Sequence, residues 1–395
     1  MVNLDALEYL LTPEGQDALR LAADLRGDPL HTAEAVRRAF PGPYVGAVLQ
    51  MSDLRRRAEA KFSLADRMYF TPDGLEQASS EVVARHRAQR FAGMAKVADL
   101  CCGIGGDAIA IAQAAEALTA VDRDPLKVRM TELNLSVYGL ARKVALKVGL
   151  AEEFGEPVDA VFIDPSRRRG NRRLRDPELT EPPMSAVYAL AQRFGNVGVK
   201  ASPAFEYERV PLECEVEVVS YRGEVKEAVL WFGDLKRCRR RATVLPEGES
   251  IQDSGGQAAV GPVGSYLLEP DGAVVRAHLV DEAAVALGAW KLDHHIAYLT
   301  SDRPVSSALA RCWKVLDVLP FNLKTIRKRL ASMDVGRVIV KKRGFPISSE
   351  ELARKLKLEG TNEVVLAVAR IGDGHTVFVC EAGGGPGVRS GGPSG

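Results

Sequence analysis

The run Asp99-Leu-Cys-Cys-Gly-Ile-Gly-Gly-Asp107 constrains this 395-residue chain more than any other stretch. Val97-Ala98 lead into it and the helix-favouring residues Ala108 to Ala115 follow, so Gly103, Gly105 and Gly106 fall where a strand turns into a helix. Glycines there let the backbone approach a ligand closely, and the N–H groups of the helix start are directed at it. A strand, glycine turn and helix in this order begin a parallel α/β sheet and indicate a nucleotide-type ligand. A glycine trio by itself is equally a tight turn. Leu118-Thr-Ala-Val-Asp122 favours the ligand. It reads as a second strand ending in a carboxylate suited to two ribose hydroxyls, about 20 residues after the glycine turn.

Nicotinamide enzymes share both features, but their sites usually lack the leading acid and hold a pyrophosphate at the helix start. Asp107 would repel that anion and attract cationic groups. A third landmark is Asp159-Ala-Val-Phe-Ile-Asp-Pro-Ser-Arg-Arg-Arg169, an apolar strand ending in acid-proline and then arginines. Asp164 there either orients or deprotonates a reacting group, or is a strand-end acid satisfying backbone donors.

The pattern acid-x-(Gly or Cys)-x-Gly-x-Gly from Asp99, with Asp122-Arg-Asp-Pro125 closing the second strand, resembles class I S-adenosylmethionine-dependent methyltransferases. The resemblance implies a Rossmann-like α/β core with S-adenosyl-L-methionine as cofactor. It implies Asp99, Cys101, Gly103, Gly105, Gly106 and Asp107 around the methionine part, Asp122 at the ribose, and Arg123 also on the cofactor side. Asp164, Pro165 and Ser166 would face the methyl acceptor. Two departures stand out. Asp164-Pro-Ser-Arg167 lacks the stacking aromatic of subgroups that methylate nitrogen, which leaves the acceptor atom open. After the third strand, Gly149-Leu150 replaces an acid often found at the adenine amine, so adenine recognition falls to backbone groups, with Glu152 or Glu153 as outside candidates. Methylation of a pyrimidine C5 would need a cysteine nucleophile near Asp164, and none follows it closely. Cys101 and Cys102 lie in the turn, where small side chains serve packing.

Lys and Arg number 53 against 52 Asp and Glu, a net charge of +1, so the chain is not a globally basic nucleic-acid binder and any such role must be local. Its six cysteines form no Cys-x-x-Cys pair, and His294-His295 are too close for helical i, i+4 ligation; no metal site and no disulfide framework are expected. With no signal-like N-terminus and no apolar run of about 18 residues, a cytoplasmic, membrane-free protein is expected. Oligomeric state is not legible.

Residues 1–90 read as helical, with apolar spacing of three to four in Leu4 to Leu11 and Ala18 to Leu25, and a further helix from Leu75 to Phe91 capped by Thr71 or Asp73. Residues 91–246 carry the methyltransferase-like alternation, with strands near 97–100, 118–121, 144–148, 159–163, 196–200, 216–221, 228–232 and 240–244. Residues 247–310 read as a linker and connecting segment, because Glu247 to Gly264 is rich in Gly, Ser, Gln and Pro. Residues 311–382 form a small α/β unit that resembles the THUMP-like domain appended to some bacterial methyltransferases, the THUMP domain proper being an RNA-binding module. The Gly/Pro/Ser-rich residues 383–395 are expected to be disordered.

Arg167, Arg168, Arg169, Arg172, Arg173 and Arg175 follow the third landmark. They suit phosphate binding, the alternative being a solubilising loop paired with Asp176 and Glu178. Lys200, ending the fifth strand, is a candidate acceptor-side contact. In the C-terminal unit Lys324 and Lys328 share a helix face, and with Lys341, Lys342 and Arg343 they would grip an RNA backbone; Phe345 either adds stacking or anchors a loop. The expected activity is methyl transfer to structured RNA, tRNA or rRNA. The alternatives are a DNA, protein or small-metabolite acceptor, or an RNA-binding protein with a vestigial cofactor fold.

Overall fold

Near-continuous apolar strands separated by helices build a parallel sheet from Lys96 onward, because strands covered on both faces need apolar residues at nearly every position. Its strands are β1 (Lys96–Leu100), β2 (Ala117–Asp122), β3 (Val144–Val148), β4 (Ala160–Ile163) and, after the short hairpin strands β5 (Arg168–Arg169) and β6 (Arg172–Arg173), β7 (Val197–Ala201). The order is β3-β2-β1-β4-β7, all parallel. The structure is a computed structural model that describes residues 2–25, 28–166, 168–169, 172–173, 177–204, 207, 210 and 213–383. The chain forms two compact units. One comprises the residues up to Cys214 together with Val229–Arg237; the other comprises Glu215–Ala228 together with the residues from Cys238 on.

In the first unit, helices α1 (Leu4–Leu11), α2 (Pro13–Asp24), α3 (Pro29–Ala39) and α4 (Val45–Ala58) precede α5 (Pro72–Gln77) and α6 (Glu81–Ala88). Leu7, Leu10, Leu19, Met51 and Leu54 join one core with Ile109 and Ile111 of α7 (Gly106–Ala114). Helix α8 (Pro125–Val137) follows β2, and α9 (Met184–Phe194) precedes β7. Four helix starts share one local device, an Asp or Thr before proline: Thr12, Asp28, Thr71 and Asp124 each accept an N–H of the first turn. Proline at the first helical position lacks only an N–H that would have no helical partner there.

The helix expected over Leu75 to Phe91 is broken in the structure. Helix α5 ends at Gln77, α6 begins at Glu81, and Gln89–Phe91 forms a single 3-10 turn. The Lys61 ammonium donates to the carbonyls of Leu75 (2.7 Å) and Ala78 (2.8 Å), satisfying groups that a continuous helix would have paired internally. Thr71 rather than Asp73 caps α5, its hydroxyl accepting Gly74 N–H at 3.0 Å.

In the second unit, β8 (Glu215–Tyr221) pairs in parallel with β10 (Arg240–Leu245), and β11 (Glu249–Gln252) pairs antiparallel with β10; of β9 (Glu224–Trp231), the residues up to Ala228 belong to this unit and those from Val229 to the first. Strand β11 corrects the reading of Glu247 to Gly264 as a structureless linker. Its residues Glu-Ser-Ile-Gln alternate between half-buried and exposed, so a short polar edge strand left no apolar signal. A second sheet has seven strands in the order β13-β14-β12-β15-β18-β17-β16: β12 (Tyr266–Pro270), β13 (Trp290–Lys291), β14 (Leu299–Ser301), β15 (Ala310–Pro320), β16 (Val335–Arg343), β17 (Asn362–Ile371) and β18 (Gly374–Glu381). The connecting segment therefore contributes three strands to the sheet that also holds the C-terminal unit, along with α10 (Gly272–Arg276) and α11 (Val280–Ala286).

Helices α12 (Leu323–Ser332) and α13 (Ser349–Leu356) bury Ile326, Leu330, Leu352 and Leu356 against Val364, Leu366, Val368, Val377 and Val379 on one face of this sheet. Val365, Ala367, Ala369, Phe378 and Cys380 line the other face with Leu292, Tyr298 and Trp313. Among the described residues no helix is long and apolar enough to cross a membrane. The expected disorder of the tail falls, from residue 384 on, outside the described residues.

Candidate active site

Asp99, Asp122 and Asp164 converge because β2, β1 and β4 are parallel neighbours and each carboxylate stands at or near the C-terminal end of its strand. The register pairs Asp99 with Ala120 and Phe162, and Asp164 N–H donates to Leu100 O at 3.4 Å. The glycine turn closes over this edge. Cys101 and Cys102 N–H both donate to Val121 O (2.8 and 3.0 Å), which draws the turn onto the end of β2. Cys101, Gly103 and Gly105 all have positive φ, at 71°, 58° and 87°. At Gly103 a Cβ would meet nothing within 4 Å, so that backbone borders open space, whereas at Gly105 it would come within 3.1 Å of Thr131 on α8. Gly103 serves approach from outside; Gly105 serves packing from within.

The acids differ in their partners. Asp122 accepts Gly103 N–H through Oδ2 (2.9 Å) and Asp124 N–H through Oδ1 (3.0 Å), so it fixes the turn, and each oxygen keeps a further lone pair. Asp107 is ion-paired to the buried Arg87, whose guanidinium also donates to Ser79 Oγ (2.8 Å) and lies 5.3 Å from the Phe162 ring centre. Burial would raise the Asp107 pKa, but Arg87 and then Lys200 outweigh it and hold the carboxyl below its ordinary range. Asp99 is wholly buried and neither of its oxygens has a hydrogen-bond partner. Burial first, then the charges of Asp107, Asp164 and Asp122, push its pKa well up, with Arg87 opposing. Against these four carboxyls, among the described residues, stand Arg87 and Lys200. An orphaned buried acid, a surplus of carboxyls and a glycine bordering open space fit a ligand with cationic groups, as the sulfonium and amino groups of S-adenosylmethionine provide.

The remaining expected residues distribute as follows. Gly106 opens α7, and a Cβ there would touch Ala78 at 3.5 Å and Phe62 at 3.6 Å. Arg123 pairs with Glu181, and Ser166 exchanges backbone hydrogen bonds with the same residue (2.8 and 3.0 Å), tying the segment after Pro165 back to the approach to α9. Lys200 donates to Asp164 Oδ2 at 2.6 Å. Burial first, then surrounding carboxylates, raise the Cys101 and Cys102 thiols well above their ordinary pKa, so neither is a ready nucleophile. Arg168 and Arg169 pair through their backbones with Arg173 and Arg172; Arg167 and Arg175 lie outside the described residues.

In the C-terminal sheet the expected basic residues do not form one patch. Lys324 and Lys328 are exposed on α12, on one face of the sheet. Lys341 and Arg343 belong to the opposite face, where Lys341 pairs with Glu269 (3.2 Å) and Arg343 lies 5.7 Å from the Tyr298 ring centre. Lys342, between them in sequence, alternates to the helix side and donates to Phe345 O at 3.4 Å. Phe345 is buried against Phe321 and His375, with ring centres 4.6 and 5.1 Å away, so it anchors the loop and is withdrawn from stacking on bases.

Arg87, Thr131 and Asn134 escape sequence reading. Arg87 falls on the buried stripe of α6 with Val83 and Ala84, so an arginine at an apolar helical position was the available signal. Asn134 on α8 accepts Tyr69 N–H (2.8 Å) and donates to Ile104 O (2.8 Å) within the glycine turn; Thr131 donates to Gly103 O (2.8 Å). A cavity of about 450 Å³ lined by Lys96, Arg142, Lys143 and Glu156 opens at the other ends of β1, β2 and β3 and shares no residue with the carboxylate cluster. Among the described residues no group of three His, Cys, Asp or Glu could hold a metal ion.

Two proteins from strains of Mycobacterium tuberculosis, both described as uncharacterized S-adenosylmethionine-dependent methyltransferases, are 37% identical to this chain over 362 residues, 87% of this chain and 99% of theirs. The chain belongs to the S-adenosylmethionine-dependent methyltransferases. Within this methyltransferase, residues 94–184 match the family described as RNA cap guanine-N2 methyltransferase, residues 310–382 match the THUMP domain-like family, and residues 3–58 match a domain of unknown function. A crystal structure from Porphyromonas gingivalis, described as that of a methyltransferase, shares the fold with a TM-score of 0.73 at 22% identity, covering 92% of this chain and 98% of that one. S-Adenosylmethionine is thus the cofactor of this methyltransferase.

Proposed function

We propose that this methyltransferase modifies structured RNA, tRNA or rRNA, in the cytoplasm. The observation that carries the reading is the arginine hairpin: β5 and β6 consist of arginine pairs and β5 begins four residues past Asp164, so residues of a type suited to phosphate adjoin the proposed acceptor edge in sequence. The likeness of residues 94–184 to an RNA methyltransferase family and of 310–382 to a THUMP-like domain supports it.

Bound S-adenosylmethionine supplies an electrophilic methyl group on a sulfonium. The protein's part is approach and orientation. Asp99 and the Gly103 backbone take the cationic methionine end, Asp122 accepts from the ribose hydroxyls, and Asp164 with the Pro165-Ser166 backbone faces the acceptor. Arg87, by neutralising Asp107, leaves Asp99 as the acid available to the ligand's charge.

The test is transfer of radiolabelled methyl to RNA, DNA and protein extracted from a strain lacking the gene, with Asp122→Ala and Asp164→Ala as controls. Label confined to RNA and lost in both variants is the expected result. Label in DNA or protein instead overturns the RNA assignment within the same enzyme class. Label in none of them, with cofactor binding intact, points to a small-metabolite acceptor; absence of cofactor binding points to a vestigial site.

A further inference from the structure

Strands β4 and β7 pair in parallel register with Ile163 opposite Val199, so the next residue on each, Asp164 and Lys200, emerges at the same edge. The Lys200 ammonium lies 2.6 Å from Asp164 Oδ2, and the pair is lopsided: the lysine side chain is 7% exposed, the aspartate 24%. A lysine at a strand end ordinarily extends its charge into water. Here the cation is drawn under the sheet edge while the carboxylate keeps an open side. We infer that Lys200 is a positioning residue: it fixes Oδ2 of Asp164 and so presents Oδ1 to an acceptor N–H. The inference rests on the reading of Asp164 as the acceptor-side carboxylate.

The charge environment sets the chemical class of acceptor. Asp99 from β1 and Cys101 from the glycine turn feel the Asp164 charge, and Asp107 on α7 feels that of Lys200. A carboxylate fixed by an ammonium at 2.6 Å is a well-aligned hydrogen-bond acceptor. That suits a nucleobase nitrogen, which attacks while neutral, over a hydroxyl, which must be deprotonated as it attacks. In the transfer, an N–C bond forms as the donor's C–S bond breaks, and the donor leaves as a neutral thioether. The proton of the cationic nitrogen so formed passes to Asp164 and then to water.

The test uses full-length Lys200→Met, Lys200→Arg and Asp164→Asn proteins. Methyl transfer from labelled S-adenosylmethionine to RNA of the deletion strain is followed, with calorimetric cofactor binding and acetic anhydride labelling read by peptide mass spectrometry alongside. In Lys200→Met, kcat should fall about 100-fold with KM for RNA nearly unchanged. Lys200→Arg, which keeps the charge, should recover most of the rate at wild-type cofactor affinity. Lys200 should acetylate several-fold faster in Asp164→Asn than in the wild type. An unchanged kcat, an effect confined to KM, or equal acetylation overturns the inference. If wild-type protein labels no RNA, the RNA reading fails while the acetylation comparison still decides the pair.

Discussion

The cofactor edge and the C-terminal sheet bury opposite kinds of residue. At the first, Asp99, Asp107, Asp122, Arg87 and Lys200 are all buried. Across 310–382 the buried side chains of the described residues are apolar, and ion pairs such as Arg329 to Asp317 and Lys341 to Glu269 lie at the margins. Burying ionised groups costs several kcal/mol each unless partners compensate, of order the whole stability of a domain when summed. A fold keeps such a cluster where charge is used on a ligand and fills an interior with Val, Leu and Phe where it only has to hold together. On the proposed function, the first edge is the place of chemistry, and any contribution of the second sheet to RNA recognition lies on its surface.

The sharpest way to break that comparison is Asp164→Ala, which should lower methyl transfer by roughly 10²- to 10⁴-fold while calorimetric cofactor binding survives. Retention of full activity would remove Asp164 from the acceptor side. Next come two substitutions of similar thermodynamic size and different consequence. Arg87→Met strands the Asp107 charge and should cost about 3–5 kcal/mol in denaturant unfolding together with cofactor binding. Phe345→Ala should cost about 3–5 kcal/mol and leave cofactor affinity at its wild-type value. If both variants lose the cofactor equally, the two regions are not energetically separate.

Asp99→Asn sharpens the comparison from the other side. It should weaken S-adenosylmethionine binding by about 1.5–3 kcal/mol, through loss of a charged hydrogen-bond acceptor, yet make the free protein more stable at neutral pH. The sign follows from the raised pKa of Asp99. Its contribution to stability is present below the ordinary carboxyl value of about 3.9 and is lost as pH rises through the folded value. Asp107, with its lowered pKa, behaves oppositely: its contribution is present above about 3.9 and lost as pH falls through its folded value. Thermal melts from pH 5 to 8 should therefore diverge, with wild type losing ground to the variant as pH rises; parallel curves would show that Asp99 is ionised without cost. The smallest effect is expected for the exposed pair Lys324→Ala/Lys328→Ala, which should reduce the slope of log affinity for RNA against log salt by about one to two and leave folding untouched. An unchanged slope would exclude that face of α12 from RNA contact.

The strand, glycine turn and helix around Asp99, the strand-end acids Asp122 and Asp164, and the apolar strands of the 91–246 core were legible in the sequence. Each is specified by neighbours within about four positions, through apolar period, caps and turn residues. Tertiary structure alone decided that Arg87 neutralises Asp107, 20 residues away, and that Lys200 holds Asp164 from 36 residues away. It also decided that Asn134 braces the glycine turn against Tyr69 and that Lys341 and Arg343 face away from Lys324 and Lys328. The same holds for the strands of 266–301, which join the C-terminal sheet. These outcomes depend on which strands become neighbours and in what register. A local pattern determines where an apolar stripe or strand end lies; only the packed chain determines which distant charge meets it there.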